Sequence, residues 1–313
     1  MSTQKQNNGV RLVRVDADRS GQRLDNFLSN LLKGVPRAAV YRMIRTGQVR
    51  VNGGRCKPAT RLETGDQVRV PPARTRTDEP VSVSEEVRGQ LRAAVLFEDR
   101  DLLIIDKPSG MAVHAGSGLP WGLIEALRQD RPGEYLELAH RLDRDTSGCL
   151  VLARSGAALA HVSAAFRAGE VRKHYLCLLD GRLPQAVVDV DAPLTKTEGE
   201  ARGPVEVDEE GKPSLTRFRL LEAYPDSSYV EAELFTGRTH QIRAHARHLG
   251  LPLAGDAKYA SRELLKKWKA RGLKRIFLHA HRLALAAPDG REREFTAPLP
   301  ATLRQVLDQL QAR

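Results

Sequence analysis

Leu24, Phe27, Leu28, Leu31 and Leu32 fall at i, i+3, i+4, i+7 and i+8, the spacing that lines one face of an α-helix. A second helix is predicted from Pro36. It carries Val40, Tyr41, Met43 and Ile44 and stops at Gly47, where glycine can take the left-handed conformation that closes a helix. Residues 48–54 then read as a short strand entering an Asn52-Gly53 turn, and residues 62–70 as a further turn and strand. Residues 73–90 mix Pro, Ser, Thr and charge without a period and read as a linker.

Beyond Val95 the pattern changes to short apolar runs. Val95-Leu96-Phe97 and residues 102–105 enclose the polar 98–101 as a predicted hairpin, and residues 149–153 form another buried run. Leu159, Val162 and Phe166 predict a helix closed by Gly169. Strands around 215–222 and 229–235 flank the turn at 225–228, and strands around 276–286 and 292–296 flank Pro288-Asp289-Gly290. Leu303, Val306, Leu307 and Leu310 mark a last amphipathic helix. Hairpins with interspersed helices give an α+β class with a mostly antiparallel sheet. The expected organisation is a polar N-terminus (1–11), a small α/β module (12–72), the linker (73–90) and a larger domain (91–313).

Charge sharpens this picture. The 313-residue chain carries 50 Lys and Arg against 39 Asp and Glu, a net +11 that suits a polyanionic partner such as nucleic acid. Between Asp25 and Glu63 there is no acidic residue, while Lys33, Arg37, Arg42, Arg45, Arg50, Arg55, Lys57 and Arg61 supply eight positive charges. A one-signed surface over a whole compact module points to RNA. The three cysteines, Cys56, Cys149 and Cys177, lie far apart and form neither a disulfide framework nor a C-x-x-C site, which implies a reducing cytosol. The N-terminus lacks an apolar core, and no run approaches the roughly 18 apolar residues of a membrane helix, so a cytoplasmic protein is expected.

Three polar segments carry candidate chemistry. In residues 139–148 Asp143 stands between Arg141 and Arg144 and precedes a turn-forming Thr146-Ser147-Gly148. A carboxylate hemmed in by guanidinium groups stays ionised and suits a fixed nucleophile or base, although a surface turn with an ion-pair ladder would use the same residues. In residues 173–178 apolar and polar residues alternate, and Tyr175 beside Lys173 offers a stacking face and a phenol; a core tyrosine is the alternative. Residues 236–245 turn at Gly237 and then place Arg238, His240 and Arg243 at helical spacing. His240, His245 and His248 invite a zinc reading, but no H-E-x-x-H or cysteine pair completes a ligand set. No phosphate loop or dinucleotide fingerprint occurs, so no cofactor is expected.

In this order the three segments resemble the motifs of the pseudouridine synthases of the large ribosomal and transfer RNA family, whose signature is His-Arg-Leu-Asp. The resemblance runs from about residue 12 onward, without departure from the three motifs. It implies a catalytic domain with a mostly antiparallel mixed sheet, and a reaction in which a uridine is drawn out of its stack. By the same resemblance Asp143 helps break the N-glycosidic bond so that the uracil rotates and rejoins through C5. Whether it adds to the sugar, adds to the ring or removes a sugar proton stays open. Arg243 resembles the arginine that pairs with this aspartate, and Arg141 the residue inserted where the uridine left. Leu278 resembles the apolar residue packed under the base, though alone it reads as strand core. Tyr175 completes the catalytic set.

Lys173, Arg238 and His240 are expected RNA contacts. The N-terminal module resembles the S4 RNA-binding domain, with Arg37, Arg42, Arg45, Arg50, Arg55 and Lys57 as contacts. Similarity in Lys33-Gly34-Val35-Pro36-Arg37 and in residues 107–114 points to large-subunit (23S) ribosomal RNA as partner of a monomeric enzyme. Two rivals use the same residues. A metal-dependent phosphodiesterase would hold Mg²⁺ on Asp143 and Asp145, against competition from the neighbouring arginines. A noncatalytic RNA-binding protein would leave the three motifs unexplained.

Overall fold

The computed structural model describes residues 9–32, 35, 37–72, 82–115, 119–196 and 203–312, without the side chains of Arg37 and Ala38. The chain forms two compact units, Met1–Ser82 with Ser155–Ala160, and Val83–Arg154 with His161–Arg313.

In the first unit, strand β1 (Arg11–Arg14), helices α1 (Leu24–Leu31) and α2 (Arg37–Arg45), and strands β2 (Arg50–Val51) and β3 (Gln67–Val70) follow in order. The sheet order is β1-β3-β2, with both pairings antiparallel. Leu24, Phe27 and Leu28 turn inward from α1 onto Val40, Met43 and Ile44 of α2 and onto Val68 and Val70 of β3. Full burial of each large side chain contributes about 1.5–3 kcal/mol. Gly47 has φ +73° just past α2, and Asn52 (φ 49°) with Gly53 (φ 77°) makes the left-handed pair that a two-residue hairpin turn needs. Strand β1 escaped the sequence pattern because it contributes no buried residue. Arg42, Arg45, Arg55 and Lys57 are exposed, and Arg50 is half-buried with its Nε donating to the Gly47 carbonyl at 3.2 Å. Lys33 and the Arg37 side chain lie outside the described residues.

The second unit corrects the linker expected over 73–90. Residues 73–81 lie outside the described residues, but Ser84 caps a helix α3 (Glu85–Ala93) through its hydroxyl, which accepts the Val87 N–H. Only Leu91 of this helix is fully buried, and Glu85, Glu86, Arg88 and Arg92 hide its period. There follow β4 (Val95–Glu98), β5 (Leu102–Lys107), α4 (Leu123–Asp130), β6 (Glu137–Leu138), β7 (Ser147–Ala153), α5 (Gly156–Ala168) and β8 (Arg172–Asp180). The chain continues through β9 (Val187–Asp191), β10 (Leu194–Lys196), β11 (Val205–Val207), β12 (Leu215–Tyr224), β13 (Ser227–Leu234), α6 (Gln241–His248) and α7 (Arg262–Ala270). It ends with β14 (Leu278–Ala286), β15 (Glu292–Thr296) and α8 (Ala301–Gln311).

Ten strands build one sheet, β4-β5-β7-β14-β8-β13-β12-β9, with β15 on β14 and β6 on β7. It is the expected mixed, mostly antiparallel sheet: only β7 and β14 run parallel, pairing Ser147 with His279 and Gly148 with Ala280. A Cβ on Gly148, whose φ is +112°, would lie 2.2 Å from the Ala280 carbonyl oxygen, so glycine is required where these strands meet. Tyr175 on β8 pairs with Ala280 and packs against the clusters on both sides of it.

Candidate active site

The loop between β6 and β7 carries Asp143, and buried donors staple it down. Lys107, fully buried at the end of β5, donates to the carbonyls of Pro108 (2.8 Å), Met111 (2.9 Å) and Arg144 (3.0 Å). Burial pushes its pKa down to about 7, while three acceptors match the three hydrogens of the ammonium form. The Ser109 hydroxyl donates to the Asp145 carbonyl at 2.7 Å, and Arg144 donates to the Gly110 carbonyl at 2.9 Å.

Arg275 holds the other side of the loop. Its Nη2 donates to Ser147 Oγ (2.8 Å), the Leu278 carbonyl (3.1 Å) and the Asp145 carbonyl (3.3 Å). Ser147 in turn meets His279 Nδ1 at 2.9 Å, and His279 Nε2 meets the Ala297 carbonyl at 3.1 Å. A carbonyl only accepts, so the His279 proton sits on Nε2; burial lowers its pKa to about 4. His140, the first residue of the signature, accepts the Val151 N–H at 3.0 Å and stacks on Phe166. Burial lowers its pKa to about 3 and keeps it a neutral acceptor.

Arg141 and Arg144 make no ion pair with Asp143, contrary to the expectation from their adjacency. The groups beside it come from the start of α6: the Arg243 guanidinium Nη1 lies 3.5 Å, and Nε2 of His240, just before the helix, 3.6 Å from Asp143 Oδ2. Arg243 is aimed by a fork to the fully buried Asp256, with Nε to Oδ2 at 2.8 Å and Nη2 to Oδ1 at 2.6 Å, and its guanidinium lies 5.0 Å from the Tyr259 ring centre. Burial works against that charge, but the hydrogen bond and charge of Asp256 outweigh it, so Arg243 stays firmly protonated. Tyr175 is half-buried; burial, reinforced by the charge of Asp143, raises its pKa and keeps the phenol neutral.

A cavity of about 140 Å³ opens over Asp143, and Arg141, Tyr175, Arg238, His240, Arg243 and Leu278 line it. Arg141 and Arg238 are exposed, while Leu278 is buried. All the catalytic and base-handling residues expected from sequence therefore meet at one place. Two RNA contacts do not stand as expected. Lys173 is 8% exposed on a strand buried on both faces, which withholds it from a phosphate at the surface. His240 faces the carboxylate rather than solvent.

Of the three histidines read as a zinc set, His245 has both ring nitrogens engaged, by Thr216 Oγ1 and the Ala192 carbonyl, each at 2.9 Å. Sequence reasoning missed Lys107, Asp256, Tyr259, Arg275 and His279 as parts of the site. Lys107 alone left a local signal, a cation closing the apolar run of β5.

A carboxylate, a neutral phenol, a buried guanidinium and apolar side chains line one small cavity, an arrangement suited to a single extruded base. Residues 101–248 match the RNA pseudouridylate synthase family and residues 22–68 the S4 domain. The chain is 44% identical over 309 residues to the ribosomal large subunit pseudouridine synthase C of Haemophilus influenzae, covering 97% of this chain and 96% of that one. It is 46% identical over 305 residues to the protein of the same name in Yersinia pestis, covering 95% of each. Among solved structures, the human RNA Pseudouridylate Synthase Domain Containing 4 matches with a TM-score of 0.60 at 26% identity, over 72% of this chain and 96% of that one. Human RNA Pseudouridylate Synthase Domain Containing 1 gives 0.58 at 28%, over 70% and 95%. The chain belongs to the RNA pseudouridylate synthase family and is an RNA pseudouridine synthase with an N-terminal S4 domain.

Proposed function

We propose that this enzyme converts particular uridines of large-subunit (23S) ribosomal RNA to pseudouridine, with Asp143 as the reacting group. The observation that carries this reading is Asp143 lining the cavity, 3.5 Å from a guanidinium that is itself locked to Asp256. The names of the near full-length relatives supply the RNA class.

The uridine enters the cavity flipped out of its helix. Arg141, exposed beside the cavity, takes the vacated place in the stack, and Leu278 and Tyr175 hold the two faces of the base. Asp143 acts with the Arg243 guanidinium 3.5 Å from its Oδ2, held there by Asp256. As the glycosidic bond breaks, the neutral phenol of Tyr175 is placed to exchange a proton with the rotating uracil. An isomerisation neither gains nor loses atoms or electrons overall, so the reaction needs no cofactor. Residues 12–72 serve as the RNA-binding part, with Arg42, Arg45, Arg55 and Lys57 meeting phosphates, and the catalytic part begins with α3 rather than at residue 91. A single cytoplasmic chain supplies every group. No helix among the described residues is long and apolar enough to cross a membrane.

Mapping pseudouridine in ribosomal RNA from cells with and without the gene tests this directly. Loss of one or more sites in the large-subunit RNA is expected; loss confined to transfer RNA would overturn the substrate.

A further inference from the structure

His240 enters α6 with φ 53°, and the only other non-glycine residue with positive φ among the described residues is Asn52 in its hairpin turn. Asparagine tolerates that region; for histidine it costs on the order of 1–3 kcal/mol, the kind of strain retained where a side chain must be aimed. What it aims is an imidazole with one nitrogen hydrogen-bonded and the other facing a carboxylate. Nδ1 lies 3.0 Å from Tyr259 Oη, and Nε2 lies 3.6 Å from Asp143 Oδ2. Tyr259 Oη also accepts the Val205 backbone N–H at 2.7 Å. The carboxylate can only accept, so the ring proton falls on Nε2, facing it, and Nδ1 accepts the phenol's own hydrogen. The opposite tautomer would set the Nε2 lone pair against Oδ2.

We infer that His240 is a positioning residue for Asp143: held by Tyr259 in its Nε2–H tautomer, the neutral imidazole donates to Oδ2 alongside Arg243 and turns Oδ1 toward the substrate. This rests on the reading of Asp143 as the reacting group. The 3.6 Å separation is slightly longer than a hydrogen bond and closes when substrate fills the cavity, as catalytic contacts commonly do. Around the ring, Asp143 and Asp256 favour a charged imidazole, but burial is the largest influence and acts with Arg243 and Lys258 against it, so its pKa lies below the ordinary histidine value.

Four variants test the inference, each checked for folding by circular dichroism. His240→Ala should lower kcat about a hundredfold, the scale of a misaimed reacting group, with KM for RNA little changed. His240→Gln, whose amide can reproduce the Nε2–H donor, should restore part of that loss. Tyr259→Phe keeps the ring beneath Arg243 and removes only the hydroxyl. In the ¹⁵N spectrum of histidine-labelled protein, His240 should be protonated at Nε2 alone in the parent and populate both tautomers in Tyr259→Phe, with kcat falling in step. Full kcat in His240→Ala, a loss confined to KM, or an Nδ1–H tautomer in the parent would overturn the role. Asp143→Asn is the separate control. If it still makes pseudouridine, the reading of Asp143 fails; if it is inactive while His240→Ala is fully active, only the role of His240 fails.

Discussion

Asp256 touches no part of the cavity surface, yet it fixes the cation that lies beside Asp143. Its side chain is fully buried and Arg243 is its ionic partner. Arg243→Met should cost about 3–5 kcal/mol of stability, because a buried carboxylate loses its counter-charge. It should also lower kcat, since Asp143 then lacks the neighbour that orients it. Denaturant unfolding and steady-state kinetics of the same variant check both effects. An unchanged kcat in folded protein would remove Arg243 from the site.

Residue identities were legible where a motif carried them: Asp143, Tyr175, Arg243, Arg141 and Leu278 all reach the cavity. Asp256, Tyr259, Arg275 and His279 were not, because each acts on a partner distant in sequence and leaves no local periodicity. Lys173 was misread for a different reason. Alternation shows that residues point to opposite faces, but β8 is covered on both, so a polar position was no guarantee of solvent.

At the scale of elements, the apolar runs foretold the central strands, and amphipathic spacing foretold α1, α2, α5 and α8. The helices α3 and α7 escaped because each fully buries one side chain, Leu91 and Trp268, among many charges. Strand β9 buries only Val190 and gives no alternating signal. The parallel pairing of β7 with β14 was also invisible to pattern, since it joins segments remote in sequence. Gly148 is its most sensitive point. In Gly148→Ala the left-handed backbone alone costs on the order of 1–3 kcal/mol, and the methyl overlaps the Ala280 carbonyl besides. A large drop in midpoint on thermal unfolding is expected, with activity lost even in the fraction that remains folded. A melting curve like the parent's would show that the two strands can part without consequence.

Over the whole molecule two effects depend on solution conditions. His140, half-buried, and His279, fully buried, are held neutral, with pKa values lowered to about 3 and about 4. The unfolded chain, with histidine near 6.5, binds protons that the folded chain refuses, so stability falls as pH falls below that value. Each ring contributes at most about 1.4 kcal/mol per pH unit, in a range above that where most carboxylates titrate. Denaturant unfolding between about pH 7 and pH 5 should show this fall, and His140→Gln, which can still accept from Val151, should reduce it. A flat stability over that range would contradict the neutral state of both rings.

The second effect is salt. The run of cations between Asp25 and Glu63 is proposed as an RNA surface, and Arg42, Arg45, Arg55 and Lys57 are exposed. Replacing these four by Gln should flatten the slope of log K against log salt by roughly three units, at about 0.7–0.9 per phosphate contact. Binding measured across a salt series reads this, and an unaltered slope would assign the phosphates to other residues.

The β7–β14 pairing also sets a schedule. Ser147 meets His279, 132 positions further along the chain, and Leu278 lines the cavity from the start of β14. During synthesis the ribosome releases the three motifs long before the strand that completes their pocket, and such long-range pairing forms slowly. A nascent chain halted just past α6 would carry every signature residue, expose the unpaired edge of β7 and modify nothing. The enzyme gains its activity only when its own translation is nearly finished.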